Sequence, residues 1–230
     1  MSRNRKKALL FIVEGESDGI SFESLFDAFF ENDDVHIFVI RGDITVPTED
    51  EDINILNLLG KKVEDFCSIE KVIKRDIKAI IHLVDTDGAF ISDSLIEQQE
   101  SNKKTEYTES KIYAKNPECI KKRNKIKANN LNKLCSKEKI SGIPYYIYYL
   151  SRNLEHVLHN KIENLSTEEK ANLSNKFDAE YGENLENFLQ FINNASFSVT
   201  GNYQQTWEYI KQETNSLKRK SNLHLLFQLP

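Results

Sequence analysis

Leu9-Leu10-Phe11-Ile12-Val13-Glu14-Gly15-Glu16-Ser17-Asp18 is an apolar run that stops abruptly in carboxylates and a glycine. Phe22, Leu25, Phe26 and Phe29 follow at three- and four-residue steps, the spacing of one helix face. The stretch reads as a buried strand turning directly into a helix. Ala79-Ile80-Ile81-His82-Leu83-Val84-Asp85-Thr86-Asp87-Gly88 repeats the plan, with a second apolar strand that ends in acids. In an open α/β sheet the functional crevice lies beyond the carboxyl ends of the strands. If the two strands are parallel neighbours, Glu14, Asp18, Asp85 and Asp87 converge there. Four like charges in one place are costly unless a hard divalent cation neutralises them, and oxygen ligands suit Mg²⁺ or Mn²⁺. The sequence thus predicts a metal site.

Taken singly, each motif reads equally well as a solvated turn or a helix cap, because Asp18 at a helix start accepts amide hydrogen bonds. Their order, each directly behind a hydrophobic strand, favours a shared site.

Val35-His36-Ile37-Phe38-Val39-Ile40 reads as another buried strand, closed by Arg41-Gly42-Asp43, and the acidic stretch from Thr45 to Asp52 with Pro47 as a loop. Ile53, Leu56, Leu59, Val63 and Phe66 recur at helical steps, interrupted mildly by Gly60. Strand and helix alternate, which predicts an α/β fold with a mostly parallel sheet flanked by helices.

The pair "apolar strand, Glu-Gly-x-x-Asp" and "apolar strand, Asp-x-Asp-Gly" resembles the Toprim domain of topoisomerases, bacterial primases, recombination proteins, small ribonucleases and OLD-type nucleases. The match covers roughly the first 100 residues and the strand and helix beyond a basic insertion. The resemblance implies a Toprim-like (Rossmann-like) fold. Residues 1–100 would form the first part of the core, 101–140 a lysine-rich insertion, 141–165 the strand and helix completing the core, and 166–230 a helical C-terminal extension. Pro144-Tyr145-Tyr146-Ile147-Tyr148-Tyr149-Leu150 is a strand of strong β propensity. It runs into a helix from Ser151 to Asn160, which looks like the segment that carries a characteristic glutamate in OLD- and RloB-type nucleases; here that residue is Glu155.

By this resemblance the chain is a Mg²⁺- or Mn²⁺-dependent nuclease cutting DNA or RNA, tRNA among the candidates, as an effector of anti-phage defence. Glu14, Asp85 and Asp87 would be catalytic, and Glu14, Asp18, Asp85, Asp87 and Glu155 would hold metal. Asp87 is followed at once by Gly88, where many members place the glycine later, so one-metal and two-metal use both stay open. The chain has no Walker motif, so an ATPase would be a separate partner subunit, and a homodimer stays open. The rival class is a Toprim-like module that grips nucleic acid or a partner without cutting.

The overall charge is −5 over 230 residues, which argues against a protein that merely coats nucleic acid. Yet residues 1–60 carry 5 basic and 13 acidic side chains, and residues 101–140 carry 12 basic and 4 acidic ones. Such polarity sets a basic surface beside an acidic centre. Lys103, Lys104, Lys111, Lys115, Lys121, Lys122 and Arg123, interleaved with Tyr107 and Tyr113, read either as a solvated segment or as a clamp for phosphates and unpaired bases. Ala89 to Glu100 reads as a short helix.

Cys67, Cys119 and Cys135 are odd in number and lack Cys-x-x-Cys spacing, which fits a reduced, cytoplasmic protein. No segment approaches the ~20 apolar residues of a membrane span. His156 and His159 could bind a transition metal, act on a phosphate or simply pack. Leu185, Phe188, Leu189 and Ile192 form one apolar stripe and Tyr203, Trp207 and Ile210 another. Leu223 to Leu229 reads as a final strand or a docking tail.

Overall fold

The computed structural model describes residues 7–31, 33–39, 43–46, 54–99 and 104–228. The opening apolar run is strand β1 (Ala8–Val13), buried along its whole length. Leu10 and Ile12 face one hydrophobic cluster, while Leu9, Phe11 and Val13 face another on the opposite side. A strand covered on both faces is apolar at every position, which is why no polar alternation interrupts it.

Helix α1 (Glu16–Phe29), strand β2 (Asp34–Val39), helix α2 (Ile55–Glu70) and strand β3 (Ile77–Asp85) follow. A small sheet of β4 (Ile96–Gln98), β5 (Glu106–Tyr107) and β6 (Ile112–Ala114) leads to the long helix α3 (Pro117–Cys135). Then come β7 (Lys139–Ile140), β8 (Ile143–Leu150) and four helices, α4 (Leu154–His159), α5 (Thr167–Tyr181), α6 (Leu185–Ile192) and α7 (Tyr203–Ile210). The main sheet has the order β2-β1-β3-β8-β7 and is parallel except for the edge strand β7. This is an α/β architecture with a mostly parallel mixed sheet, compatible with a Rossmann-like fold.

The packing of the helices fixes where the sheet opens. Phe22, Leu25 and Phe26 of α1 share a cluster with residues of α4, α5 and α6, whereas α2, α3 and α7 pack in the other cluster. From β1 the chain therefore covers one face to reach β2, then covers the other face through α2 to reach β3 on the far side of β1. Strand order reverses between β1 and β3, and in such sheets the crevice lies at that switch point.

Two segments differ from the sequence expectations. Residues 89–99 hold a single 3₁₀ turn, Asp93–Leu95, and strand β4 instead of a helix, and Glu100 lies outside the described residues. Ile91 and Ile96 pack with Ile112 and Leu217 in a small separate core, and Ser92 caps only that one turn. Leu223–Gln228 is a 3₁₀ helix, not a strand, and Leu223, Leu226 and Phe227 join the core beside Phe26 and Phe188; Leu229 lies outside the described residues. The C-terminal segment also covers the edge of β8 beyond β7. Tyr203 Oη bonds both the N–H and the C=O of Ile147, and Asn222 Oδ1 accepts the Tyr149 N–H at 2.8 Å. An open edge strand is thereby blunted. Among the described residues no helix is long and apolar enough to cross a membrane.

Candidate metal centre

Glu14 immediately follows β1 and Asp85 ends β3, its hydrogen-bonded neighbour. The Glu14 side chain spans the gap, with Oε1 accepting the Asp85 backbone N–H at 3.3 Å. Asp18 is the third residue of α1 and folds back so that Oδ2 accepts the Gly15 N–H at 2.9 Å. That bond is half of a capping box and favourable in itself. Asp18 is thus a helix-start acid and a neighbour of the other acids at once.

Beyond β3 the pairing with β8 continues: the Thr86 N–H donates to the Leu150 carbonyl at 3.0 Å and the Asp87 N–H to the Arg152 carbonyl at 3.0 Å. Asp87 and Gly88 both take left-handed backbone, with φ of 48° and 68°. Aspartate tolerates that region and glycine occupies it freely.

Charge divides the acids into two groups. Burial, then the nearby Glu14, Asp18 and Asp87, push the Asp85 carboxyl well above its usual range. Glu14 is pushed up to about 8 by burial, against the pull of Lys127 and with the push of Asp43, Asp87 and Asp18. Asp18 rises to about 6 through burial, with Glu155 adding to it. Asp87 goes the other way: burial would raise it, but Lys127, Arg123 and Arg152 hold its carboxyl below the usual range.

Lys127 accounts for that split. Its ammonium has no exposed surface and lies 2.5 Å from Asp87 Oδ2 and 2.8 Å from Asp43 Oδ2. Burial alone would lower it; Asp87, Glu14 and Asp43 instead hold it above the ordinary lysine range. The residue comes from α3, whose buried face is Asn124, Lys127, Asn130, Leu131 and Leu134. Asn124 donates to the Gly88 carbonyl at 3.2 Å and Asn130 to the Thr45 carbonyl at 2.9 Å. In the sequence Lys127 stands among other lysines. Its only signal was phase, four and seven residues ahead of Leu131 and Leu134.

Glu155 is buried on α4, and Oε1 accepts from Lys170 Nζ of α5 at 2.9 Å. Burial would lower the Lys170 ammonium, but Glu155, Asp85 and Asp18 keep it above its usual range. Glu14, Asp18 and Asp85 thus form one electrostatic group, Glu155 borders it through Lys170, and Asp87 belongs to Lys127. Among the described residues no group of three or more Asp, Glu, His or Cys side chains is gathered so as to hold a metal ion.

The basic segment is divided as well. Lys104, Lys115 and Lys122 are exposed, and Lys103 lies outside the described residues. Lys111 pairs with Glu97 at 2.5 Å and Lys121 with Glu118 at 2.7 Å. Arg123 turns to the carboxylate turn, donating to the Asp87 carbonyl at 3.0 Å and to Tyr107 Oη at 2.7 Å. Tyr107, expected to stack on bases, instead receives the Arg152 guanidinium 4.8 Å from its ring centroid. His159 packs edge-on against Phe177, with ring centroids 5.7 Å apart. A recess of about 1010 Å³ between α3, β8 and α7, lined by Tyr145, Tyr146, Tyr203 and Trp207, is not lined by Glu14, Asp18, Asp85, Asp87 or Glu155.

No family model matches the chain, and neither a curated protein nor a solved structure is significantly similar to it.

Proposed function

We propose that the chain is a Toprim-type nuclease that hydrolyses phosphodiester bonds of DNA or RNA with Mg²⁺ or Mn²⁺. The observation that carries this is the contact of Glu14 with Asp85 at the point where strand order reverses. The donor chemistry suits a hard dication, because Glu14, Asp18 and Asp85 are carboxyls that burial and acidic neighbours raise above their usual range, although the described side chains are not gathered as a ready-made ligand set. Glu14, Asp18 and Asp85 would hold the ion, with Glu155 beside them and Asp87 kept ionised by Lys127. When bound, such an ion supplies charge neutralisation at the phosphate and a water of lowered pKa.

The chain's own groups would do the rest. Glu14, whose carboxylate stands against the Asp85 backbone at the end of β1, would either hold the ion or exchange a proton with a reacting oxygen. Lys127 and Arg123 fix Asp87 from the side chain and the carbonyl respectively. The exposed Lys104, Lys115 and Lys122 offer phosphate contacts that read no sequence. Through the resemblance, tRNA as substrate, a separate ATPase partner, a homodimer, a cytoplasmic location and a role in anti-phage defence belong to the same proposal.

Cleavage of plasmid, single-stranded DNA and tRNA with Mg²⁺ or Mn²⁺, compared for wild type and Asp85→Ala, tests it. Metal-dependent cleavage lost in the variant supports a nuclease. Binding without cleavage, unaltered by the variant, favours the second reading, a non-cleaving Toprim-like module. One observation supports that second reading: Lys127 already neutralises Asp87 and Asp43 from within the protein.

A further inference from the structure

Arg152 stands two residues beyond β8 with left-handed backbone, φ 58°. Its N–H donates to Thr86 Oγ1 at 3.1 Å and its carbonyl accepts the Asp87 N–H at 3.0 Å, so it is fastened to the acidic turn from both sides. Only 3% of the residue is exposed. Among the described residues no carboxylate pairs with its guanidinium, and Nη1 is buried without a hydrogen-bond partner. A guanidinium cannot shed its proton, so a buried one without acceptors is unstable until an anion supplies them.

The surroundings hold the group in place without satisfying it. Tyr107 presents its ring face 4.8 Å away and is itself held by Arg123 at 2.7 Å. His156 is 1% exposed, and both of its ring nitrogens are buried without partners. Its ring has at least one N–H to offer an incoming anion. Arg219 is turned away to the Val157 carbonyl at 2.8 Å. Asp87, Glu155 and Glu163 favour the charge of Arg152 from a distance, but Nη1 itself is left without an acceptor.

We propose that Arg152, with His156 beside it, is a phosphate-binding site at the rim of the carboxylate turn. The guanidinium fork matches two oxygens of a phosphate group, whether a nucleic-acid backbone phosphate or a free phosphate. The site deepens the nuclease proposal by naming what grips the substrate, and it rests on that proposal only for the phosphate's relation to a scissile bond. Metal-free binding tests it separately from cleavage.

The full chain in EDTA would be probed with inorganic phosphate, at ionic strength matched with chloride, and with a labelled single strand of about 12 nucleotides. Phosphate is expected to raise the thermal midpoint of the wild type; Arg152→Gln removes the rise and Arg152→Lys keeps part of it. Without ligand, Arg152→Gln is expected to fold, since Gln keeps the backbone bonds to Thr86 and Asp87 while the Asp87 carboxyl loses one of the three cations beside it. A backbone-phosphate site predicts roughly tenfold weaker oligonucleotide binding by Arg152→Gln. A free-phosphate site predicts the lost midpoint rise with oligonucleotide binding unchanged. No phosphate response in the wild type, equal responses in wild type and Arg152→Gln, or failure of Arg152→Gln to fold would each overturn the assignment. The last result would mean that protein groups already satisfy the guanidinium.

Discussion

The Lys127 ammonium, without exposed surface, bridges Asp87 Oδ2 at 2.5 Å and Asp43 Oδ2 at 2.8 Å. An internal cation thereby ties α3 to the turn after β3 and to the segment at residues 43–46. Removing one partner of a buried pair leaves the others uncompensated. Lys127→Met is therefore expected to cost on the order of 3–5 kcal/mol, read as a lower urea midpoint. Adding Asp87→Asn to Lys127→Met should return part of that loss, which a double-mutant cycle measures. Equal midpoints for wild type and Lys127→Met would mean that the bridge contributes nothing.

Stability should fall as pH rises through neutrality when divalent ions are chelated. Glu14 titrates near 8 in the fold against 4.5 for the free side chain, so between those values the folded chain keeps a proton that the unfolded chain has lost. Asp18 acts with the same sign between 3.8 and about 6. Asp87, held low, acts with the opposite sign and only below 3.8. Burial lowers His82 to about 3 and His156 to about 4 and also lowers His159 and His224, so below about pH 6.5 these act with the opposite sign. The unfolding free energy is expected to decline between about pH 6.5 and about pH 8, by at most about 1.4 kcal/mol per pH unit for each proton involved. Glu14→Gln should flatten the upper part of the decline. A level or rising profile over that range in the wild type would contradict the burial of these acids.

Gly88→Ala is expected to damage both the fold and the site. At φ 68° an L residue is strained, and the added Cβ would lie 2.5 Å from Leu217 Cδ2 and 3.2 Å from Ile112 Cδ1. The backbone strain alone costs about 1–2 kcal/mol. Leu217→Ala in the same chain would remove the clash but not the strain, and thermal melts of the three variants separate the two contributions. If Gly88→Ala melts with the wild type, the turn is looser than described.

Removing Phe26 should unfold the α1 face. Its ring stacks on Phe11 at a centroid distance of 3.9 Å and on Phe22 at 5.2 Å, so one residue joins β1 to its own following helix. Phe26→Ala is expected to cost about 3–5 kcal/mol, measured by urea unfolding. A loss below about 1 kcal/mol would place that contact outside the core.

β1, β3 and β8 were legible because strands buried on both faces must be apolar or aromatic throughout, and the acids were legible because they break those runs. The inner face of α3 was not. Asn124, Lys127 and Asn130 point inward to hydrogen-bond partners brought by distant segments, so a search for apolar stripes passes over them. Asp43 escaped for the same reason, since its partner Lys127 is 84 residues away. The small sheet from β4 to β6 is too short to leave a periodic signal, and its few apolar residues at Ile91, Ile96 and Ile112 find one another only in the folded chain.

Soaking crystals of the protein in Mn²⁺ and recording anomalous diffraction tests the central claim most directly. A carboxylate centre built on β1 and β3 predicts an anomalous peak within ligand distance of both the Glu14 and the Asp85 carboxylates, absent in Asp85→Ala crystals. Crystals saturated with Mn²⁺ that show no density between those two side chains would contradict it.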